Sequence, residues 1–445
     1  MIAASATITA MSSARRPAAH LRLAGWSGYL AVAGVLLSVS LSASALSALG
    51  VPYSVPGGNP VYKIHAGSYL VLFATALMAV ATNPFLFAWR SVRAAPACAV
   101  YVAANMVILL YTVLRFGMSG TAFIIDTLLT PGLLALVLVQ APPAVAARGY
   151  RLLLGLLALN ALIAIVEAST GRHLIPYVYQ GQPVIELHFR ATALLNHPLS
   201  GALVTAVALF GALGAGFGTW VRAGLCLLFG VALLAFGGRT ALAVAVGSMA
   251  LWCVLWGLRA AMLRLLRPGH LVAMTGLLIT LGFLVGIAYL WLGLGERIIA
   301  SLHWDASADA RLHVFAVFNL MFWDEVLFGV TPERLGDVLA YMSQYWDLSV
   351  IENFWLVLLA QLGAYFFVMF VAVFAGLLWW LARRASDSVR LMIVAFVLVA
   401  SSNNSLSTKN PALSVLVLLT VGILAEQGRL HRPVPRPPPP CTGGR

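Results

Sequence analysis

Long apolar runs alternate with short polar or basic segments along almost the whole chain. A helix that crosses a bilayer needs about 20 mostly apolar residues, and most of these runs approach that length. A transmembrane β-barrel would show short strands with alternating apolar and polar residues instead. The pattern therefore predicts an all-α, polytopic integral membrane protein with about twelve transmembrane helices. We predict spans at residues 24–49, 64–82, 96–114, 121–139, 151–168, 198–217, 222–236, 240–258, 271–294, 353–381, 389–404 and 411–425.

The composition supports one large membrane domain. Of the 445 residues 61% are hydrophobic and 9% are charged, whereas soluble domains carry roughly 25% charged residues. We assign residues 1–23 to a cytoplasmic segment, 24–428 to the transmembrane domain and 429–445 to a disordered, Pro-rich cytoplasmic tail. Ala43, Ser44 and Ala45 resemble a signal-peptidase site, but the apolar run before them is longer than the usual 7–15 residues. We therefore expect an uncleaved first span.

The distribution of basic residues predicts the orientation in the membrane. If the N-terminus is cytoplasmic, eighteen of the 27 Lys and Arg residues fall in cytoplasmic segments and nine in outer segments. Cytoplasmic loops of membrane proteins carry such an excess. We expect a multi-pass protein of the bacterial inner membrane with both termini in the cytoplasm. The net charge of +13 thus indicates membrane topology, not nucleic-acid binding.

The longest predicted connection is a large outer loop at about 295–352, between spans nine and ten. It contains nine of the fourteen acidic residues, and loops of this length are usually functional or disordered. Its apolar stretch 311–329 is too charged and too short to span securely. This stretch is typical of an amphipathic or re-entrant helix on the outer face, although a packed cap without chemistry explains it equally well.

Two arginines next to predicted outer ends of spans are candidates for anion binding. Arg190 leads into span six, in a segment that continues to His197 and Pro198, and Arg239 follows two glycines at the start of span eight. A guanidinium fork suits phosphate, and glycines at a helix N-terminus let an anion approach the backbone. Arg190 is equally explained by an interfacial arginine that reaches toward water. His197 is more typical of a residue that begins a helix than of a ligand.

Other polar residues cluster at the same predicted boundary. Glu352 and Asn353 precede span ten, where a buried carboxylate with a raised pKa would act as a general base and an exposed one would interact with the helix dipole. The segment 401–411, with Asn404 and Lys409, and Lys63 near span two suit sugar hydroxyls, although ordinary loops look similar. Charged groups within a membrane are costly. We interpret Asp126, an acid inside span four, as a hydrogen-bonded packing residue rather than a carrier's proton site.

Several kinds of chemistry lack a sequence signature. The chain has no P-loop, no dinucleotide fingerprint, no HExxH and no metal-ligand cysteine spacing. Its four cysteines have no pattern of a disulfide framework. No cytoplasmic segment is long enough to bind ATP or a nucleotide sugar. A reaction catalysed by this chain would need a donor that is already activated.

The order of these motifs resembles the O-antigen ligase and Wzy-type polysaccharide polymerase superfamily. FRATALLNHPLSGAL with Arg190, GGRTAL with Arg239, FGVTPERL with Arg334 and IENFWLVLLAQLG with Glu352 match its motifs in the correct order. Members have about twelve spans, cytoplasmic termini and one large outer loop between spans nine and ten. The ligase pattern has histidine where this chain has Glu352, and YKIHAGSYL and NNSLSTKNP look like the exopolysaccharide-polymerase branch of VpsF-like proteins.

The resemblance implies a metal-independent, inverting glycosyl transfer without cofactors on the periplasmic face. The donor would be an oligosaccharide on undecaprenyl diphosphate, and the acceptor another lipid-linked unit. Arg190, Arg239 and Glu352 would be catalytic, because a diphosphate leaving group needs positive charge near it and the acceptor hydroxyl needs a base. Substrate-binding residues would be His197, Asn353, Lys63, Arg334, Asn404 and Lys409.

The sequence also allows two other functions. A ligase that transfers glycan to lipid-A core or protein is the alternative within the superfamily. A secondary transporter or flippase is the alternative from another class, but it predicts several buried charges and broken helices at mid-membrane. Polysaccharide export and chain-length proteins would be further partners besides the lipid bilayer and the lipid-linked substrate.

Overall fold

The computed structural model describes residues 22–55, 59–179, 182–184, 189–262, 314–346 and 350–430, together with Gly282 and Gly286. These residues are almost wholly helical. Two residues, Val178–Tyr179 (β1), pair antiparallel with Gln182–Pro183 (β2). The predicted span 271–294, the first part of the outer loop and most of both terminal segments lie outside the described residues.

Ten helices lie in the described residues up to Met262. They are α1 Arg22–Ser40, α2 Ala43–Ala48, α3 Ala66–Thr82, α4 Pro84–Ala94, α5 Pro96–Phe116, α6 Thr121–Gln140, α7 Pro143–Thr170, α8 Pro198–Gly214, α9 Thr219–Phe236 and α10 Arg239–Met262. Helix α6 includes a π-helical turn, Ile124–Leu129. Short 3₁₀ helices lie at Pro60–Lys63 and Ala193–Leu195.

Five further helices follow the long connection. They are α11 Trp323–Phe328, α12 Pro332–Trp346, α13 Phe354–Ala382, α14 Asp387–Ser401 and α15 Ala412–Glu426. The 3₁₀ helices Val314–Leu320 and Ser405–Ser407 accompany them. Helix α15 is apolar and buried along its length, and it packs against α6, α7 and α8 at the centre of the bundle.

Among the described residues, six helices are long and apolar enough to cross a membrane, or up to seven if α3 and α4, bent by 107°, count as one span. The apolar helices indicate a membrane protein. Helices lie at eleven of the twelve predicted positions, but several, including α8 and α15, are shorter than a full span. The predicted first span 24–49 is wrong as one helix: α1 ends at Ser40, and the Ser42 side chain caps α2 by accepting a hydrogen bond from the Ala45 N–H at 3.2 Å.

Residues 314–346, the described part of the predicted outer loop, are folded onto the bundle. The stretch 311–329 contains the 3₁₀ helix Val314–Leu320 and α11 instead of one amphipathic helix, and Val317 and Met342 belong to a small hydrophobic core beneath it. Gly329 and Gly363, both at positive φ, bring the end of α11 against a break in α13. A β-carbon on Gly329 would lie 2.2 Å from the Gln361 carbonyl oxygen, so this contact requires glycine.

The two ends of the bundle differ in their polar residues. One end, the cavity end, gathers Arg190, Arg239, Glu352 and Lys409 where α8, α10, α13 and α15 begin. The opposite end, the arginine-rich end, carries arginines with few acids; those described are Arg22, Arg90, Arg93, Arg148, Arg151, Arg222, Arg383, Arg384, Arg390 and Arg429. An ion pair between Arg151 and Glu426 joins α7 to α15 there.

Candidate functional site: two cavities at one end of the bundle

The first cavity, here called the arginine cavity, has a volume of about 140 Å³. Arg190, Arg239 and Glu352 all line it, and all three residues are exposed. They come from three separate segments: the strand-like approach to α8, the first residue of α10 and the residue before the N-cap of α13. The arginine cavity therefore brings together the three residues that the sequence predicted to be catalytic.

The two glycines before Arg239 shape this cavity for different reasons. Gly237 ends α9 in the left-handed conformation at φ +64°, and an added β-carbon there would stand 3.7 Å from Cγ of Arg190. A β-carbon on Gly238 would lie 2.4 Å from Cβ of Ala202 in α8, too close for any side chain. The pair thus allows α9 to turn into α10 beside α8, and it places the Arg190 side chain over the turn.

Glu352 is exposed. Of the two alternatives that the sequence left open, a buried and an exposed carboxylate, the structure has the exposed one. The neighbouring Asn353 caps α13, and its Oδ1 accepts hydrogen bonds from the N–H groups of Trp355 at 2.9 Å and Leu356 at 3.3 Å. Asn403 lines the arginine cavity, and its carbonyl oxygen accepts the Phe354 N–H at 3.1 Å. This contact fixes the start of α13 against the 401–411 segment.

The second cavity, here called the polar cavity, has a volume of about 260 Å³. Tyr53, His65, Asp126, His197 and Lys409 line it together with hydroxyl and amide side chains. The first turn of α8 separates the two cavities: Leu199 and Ala202 line the arginine cavity, whereas His197 and Ser200 line the polar cavity. The two cavities are therefore neighbours.

Asp126 lies at the inner wall of the polar cavity, in the π-helical turn of α6. Its Oδ2 accepts a hydrogen bond from the Tyr53 hydroxyl at 2.9 Å, and the His65 backbone N–H donates to both carboxylate oxygens at 3.1 Å. The carboxyl group fastens the 49–65 connection to α6. These contacts agree with the interpretation of Asp126 as a hydrogen-bonded packing residue.

Lys409 is also engaged by protein groups. Its Nζ donates to the carbonyl oxygens of Tyr53 at 3.0 Å and Lys63 at 2.8 Å, and it lies 4.2 Å from the centre of the Tyr53 ring. Burial lowers the pKa of Lys409 to about 8. The ammonium group therefore ties the 401–411 segment to the 49–65 connection while it borders the polar cavity.

His197 lies between the two cavities and caps α8. Its Nδ1 accepts a hydrogen bond from the Leu199 N–H at 3.2 Å. Burial, and then the positive charge of Arg190, lower the pKa of His197 to about 4. The imidazole is therefore neutral at physiological pH, and it begins the helix as the sequence indicated, while it also borders the polar cavity.

Two residues of α7 hold the backbone between Arg190 and His197. Glu167 is buried and accepts the N–H groups of Thr192 and Ala193, both at 2.9 Å, and Asn160 Oδ1 accepts that of Leu194 at 2.9 Å. Ala193 has φ +45°, a conformation that costs energy for a residue with a β-carbon. Glu167 and Asn160 thus stabilise a strained segment that leads to the arginine cavity.

Four predicted substrate-binding residues line neither cavity. Lys63 Nζ donates to the Pro52 carbonyl oxygen at 2.6 Å, and Arg334 forms an ion pair with Glu325 at 2.8 Å in the outer segment. Asn404 precedes the 3₁₀ helix Ser405–Ser407, where its backbone carbonyl oxygen accepts the Ser407 N–H, and the Asn353 side chain caps α13. Their observed contacts are structural. His197 and Lys409 are the two predicted binding residues that border the polar cavity.

The residues predicted for the site did not include Tyr53, His65, Glu167 and Asn410. Asn410 is buried, and its Nδ2 donates to Ser200 Oγ at 2.7 Å, which joins the 401–411 segment to α8. Glu167, an acid near the end of an apolar run, carried a usable signal, because such acids are costly unless paired. Tyr53 and Asn410 lie in connections whose partners are distant in sequence, so periodicity carried no signal for them.

Comparisons with known proteins do not identify a family for the chain. No protein-family profile matches the chain, and no curated protein sequence matches it significantly.

Proposed function

We propose that the protein polymerises oligosaccharide repeat units carried on undecaprenyl diphosphate into exopolysaccharide or O-antigen. One observation carries the proposal: Arg190, Arg239 and Glu352, which three distant motifs supply, border a single cavity. Two guanidinium groups around a space of about 140 Å³ suit an anion such as a diphosphate. The resemblance of the motifs to the O-antigen ligase and Wzy-type polymerase superfamily supplies the reaction class.

In the proposed reaction the C1–O bond between the donor sugar and its diphosphate breaks. The charge that develops on the departing diphosphate is stabilised by Arg190 and Arg239, as expected for preorganised cationic groups. An acceptor hydroxyl forms the new C1–O bond from the opposite face, which inverts the anomeric configuration. Glu352, although exposed, is the carboxylate that borders the arginine cavity; in this proposal it takes the hydroxyl proton, and undecaprenyl diphosphate leaves.

The polar cavity is the proposed place of the acceptor glycan. His197 and Lys409 border it beside many hydroxyl and amide groups, which is the lining that neutral sugar hydroxyls bind. Only the first turn of α8 separates it from the arginine cavity. Acceptor and donor would therefore be held side by side, and such positioning lowers the barrier to reaction.

The proposed topology has about twelve spans with the large outer loop between the ninth and tenth. The arginine-rich end would face the cytoplasm, since basic residues concentrate on that side of membrane proteins. Both cavities would then face the periplasm of the bacterial inner membrane. Lipid-linked glycan would reach the cavities from the outer leaflet.

A carrier function is the less favoured candidate. Transport coupled to protons would use an ionisable group inside the membrane, and Asp126 is the acid best placed for it. However, Tyr53 and His65 both donate hydrogen bonds to its carboxylate. Those contacts assign Asp126 a structural role, so we favour the glycosyl transfer.

The test compares cells that carry Arg190→Ala or Arg239→Ala with wild type and with Arg172→Ala, an exposed arginine that lines neither cavity. We expect each cavity variant to slow polymer formation by about 10²–10³-fold, the usual effect of one lost oxyanion donor. Glycan gels should then show single repeat units without long polymer, at normal protein levels. Arg172→Ala should make full-length polymer.

Two results would contradict the proposal in different ways. Full-length polymer from both cavity variants would exclude the diphosphate clamp. Normal polymer that fails to reach lipid-A core or protein in these variants would identify a ligase instead.

A further inference from the structure

Helix α4 forms a basic, aromatic surface at the arginine-rich end, separate from both cavities. The chain bends by 107° between α3 and α4. Because α3 and α5 are apolar helices of the bundle, this bend lays α4 across it, close to the plane in which lipid headgroups lie. Asn83 makes the bend possible: it has φ +74°, and its Oδ1 accepts the Phe85 N–H at 3.0 Å.

The two faces of α4 differ in character. Phe87 and Ser91 are buried against the bundle, whereas Phe85 and Trp89 are 87% and 54% exposed. A short helix with exposed aromatic residues and basic residues is typical of a segment that lies in the membrane interface. Lipid tails and headgroups are therefore the expected neighbours of its exposed face.

Arg90 and Arg93 lie three residues apart and are both exposed. They border a depression of about 550 Å³ together with Leu86, Trp89 and Gln140. The Arg93 guanidinium lies 4.4 Å from the centre of the Trp89 ring, which holds its planar group in place. The depression thus combines two positive charges with an aromatic and an aliphatic wall.

The floor of the depression is fixed to the bundle. Gln140, the last residue of α6, donates from Nε2 to Ser91 Oγ at 2.8 Å and to the Phe87 carbonyl oxygen at 3.4 Å. Arg90 and Arg93 are therefore carried by a helix tied to α6. A site with a fixed floor pays less conformational entropy on binding than a loop does.

We propose that this depression binds the headgroup of an anionic glycerophospholipid of the surrounding bilayer. Arg90 and Arg93 hold the phosphodiester, because guanidinium groups bind phosphate through paired hydrogen bonds. Trp89 and Leu86 pack against the glycerol and the first methylenes of the acyl chains. The charge of the two arginines and the position of α4 across the end of apolar helices favour a lipid over a soluble anion.

The test uses the full-length protein purified in a mild detergent and native mass spectrometry. Phosphatidylglycerol and phosphatidylcholine are added separately, and the bound lipid is counted for wild type and for the double variant R90Q/R93Q. The double variant removes both guanidinium groups that hold the phosphodiester, so we expect about thirtyfold weaker phosphatidylglycerol binding. Binding of phosphatidylcholine should be weak and equal in both.

The control is the double variant R148Q/R390Q, which removes two exposed arginines of the same end outside the depression. It should bind phosphatidylglycerol as wild type does. R90K/R93K keeps the charge without the planar fork and should bind with intermediate affinity. Unchanged binding in R90Q/R93Q, or an equal loss in the control, would overturn the proposal. Displacement of phosphatidylglycerol by millimolar inorganic phosphate would also overturn it, because the site would then hold a free anion.

Discussion

The two cavities at the cavity end differ in how the protein treats charge. In the polar cavity, Asp126 and Lys409 are both bound by hydroxyl, amide or carbonyl groups of the protein itself. In the arginine cavity, Arg190, Arg239 and Glu352 are exposed on short connections. A buried charge is tolerated when it is hydrogen-bonded within the protein, whereas exposed charges that border one cavity can be reached by an anion from solution. The difference separates charges that hold connections of the fold together from charges that line the candidate anion site.

The largest effect is expected from Asp126→Ala. The change leaves the Tyr53 hydroxyl and the His65 N–H without their acceptor, and each unpaired buried donor costs about 1–3 kcal/mol. We expect the free energy of unfolding in detergent to fall by about 4 kcal/mol. Asp324→Ala, an exposed acid on α11, should change it by less than about 0.5 kcal/mol. If the two variants have equal free energies of unfolding, Asp126 does not have the structural role described here.

Glu167→Ala tests what supports the arginine cavity. It leaves the N–H groups of Thr192 and Ala193 unpaired, so we expect a loss of about 3 kcal/mol in the free energy of unfolding. Because the same backbone leads to Arg190, polymer formation should fall more than the amount of folded protein does. Glu167→Gln keeps one acceptor oxygen and should restore part of both. A loss of stability with normal polymer per folded molecule would show that Glu167 does not position Arg190.

The pH dependence of the free energy of unfolding tests the role of His197, which begins α8 beside the polar cavity. The pKa of His197 is lowered to about 4, below the value of about 6.5 for an unfolded chain. The folded state therefore favours neutral imidazole, and this stabilisation is complete above pH 6.5 and is lost as the pH falls toward 4. We expect a loss of about 2 kcal/mol across this range.

His197→Asn keeps a good helix cap but no titrating ring, so its unfolding free energy should change less over the same pH range. Arg190→Gln should shift the titration of His197 upward, since it removes a nearby positive charge. An identical pH profile in wild type and His197→Asn would exclude this residue as the source.

The smallest effect concerns the floor of the arginine cavity. Gly238→Ala would place a β-carbon 2.4 Å from Cβ of Ala202, and such overpacking costs about 1–2 kcal/mol. Gly224→Ala in α9 meets nothing within 4 Å and should be neutral or slightly stabilising, because alanine favours helix. If the two variants unfold at the same denaturant concentration, α8 and α10 do not pack as closely as described.

The sequence predicted the helices well where an apolar run had the length of one span, as for α5 and α6, because a bilayer sets that length. It missed the break between α1 and α2, which depends on the cap at Ser42, and the break in α13, which depends on Gly363 meeting Gly329. Such contacts join residues that are far apart in sequence. Hydrophobic periodicity carries no information about them.

The candidate site also combines residues that the sequence singled out with tertiary contacts that it did not predict. Arg190, Arg239 and Glu352 were identified because charges close to the hydrocarbon edge are costly and because the order of their motifs resembles a known superfamily. Their shared cavity depends on Glu167 and on the close packing of Gly238 against Ala202. Those interactions are tertiary, so the sequence carried no signal for what holds the three residues around one cavity.

The contact between Gly329 and Gly363 links two parts of the molecule mechanically. It involves main chain on both sides, and the Val330 N–H donates to the Ala360 carbonyl oxygen at 3.0 Å, so side-chain rotation cannot release it. The first turns of α13 lie between this contact and Glu352. A displacement of the segment that ends at Gly329 would therefore reach the residues before α13 through the main chain, without any change of side-chain rotamer.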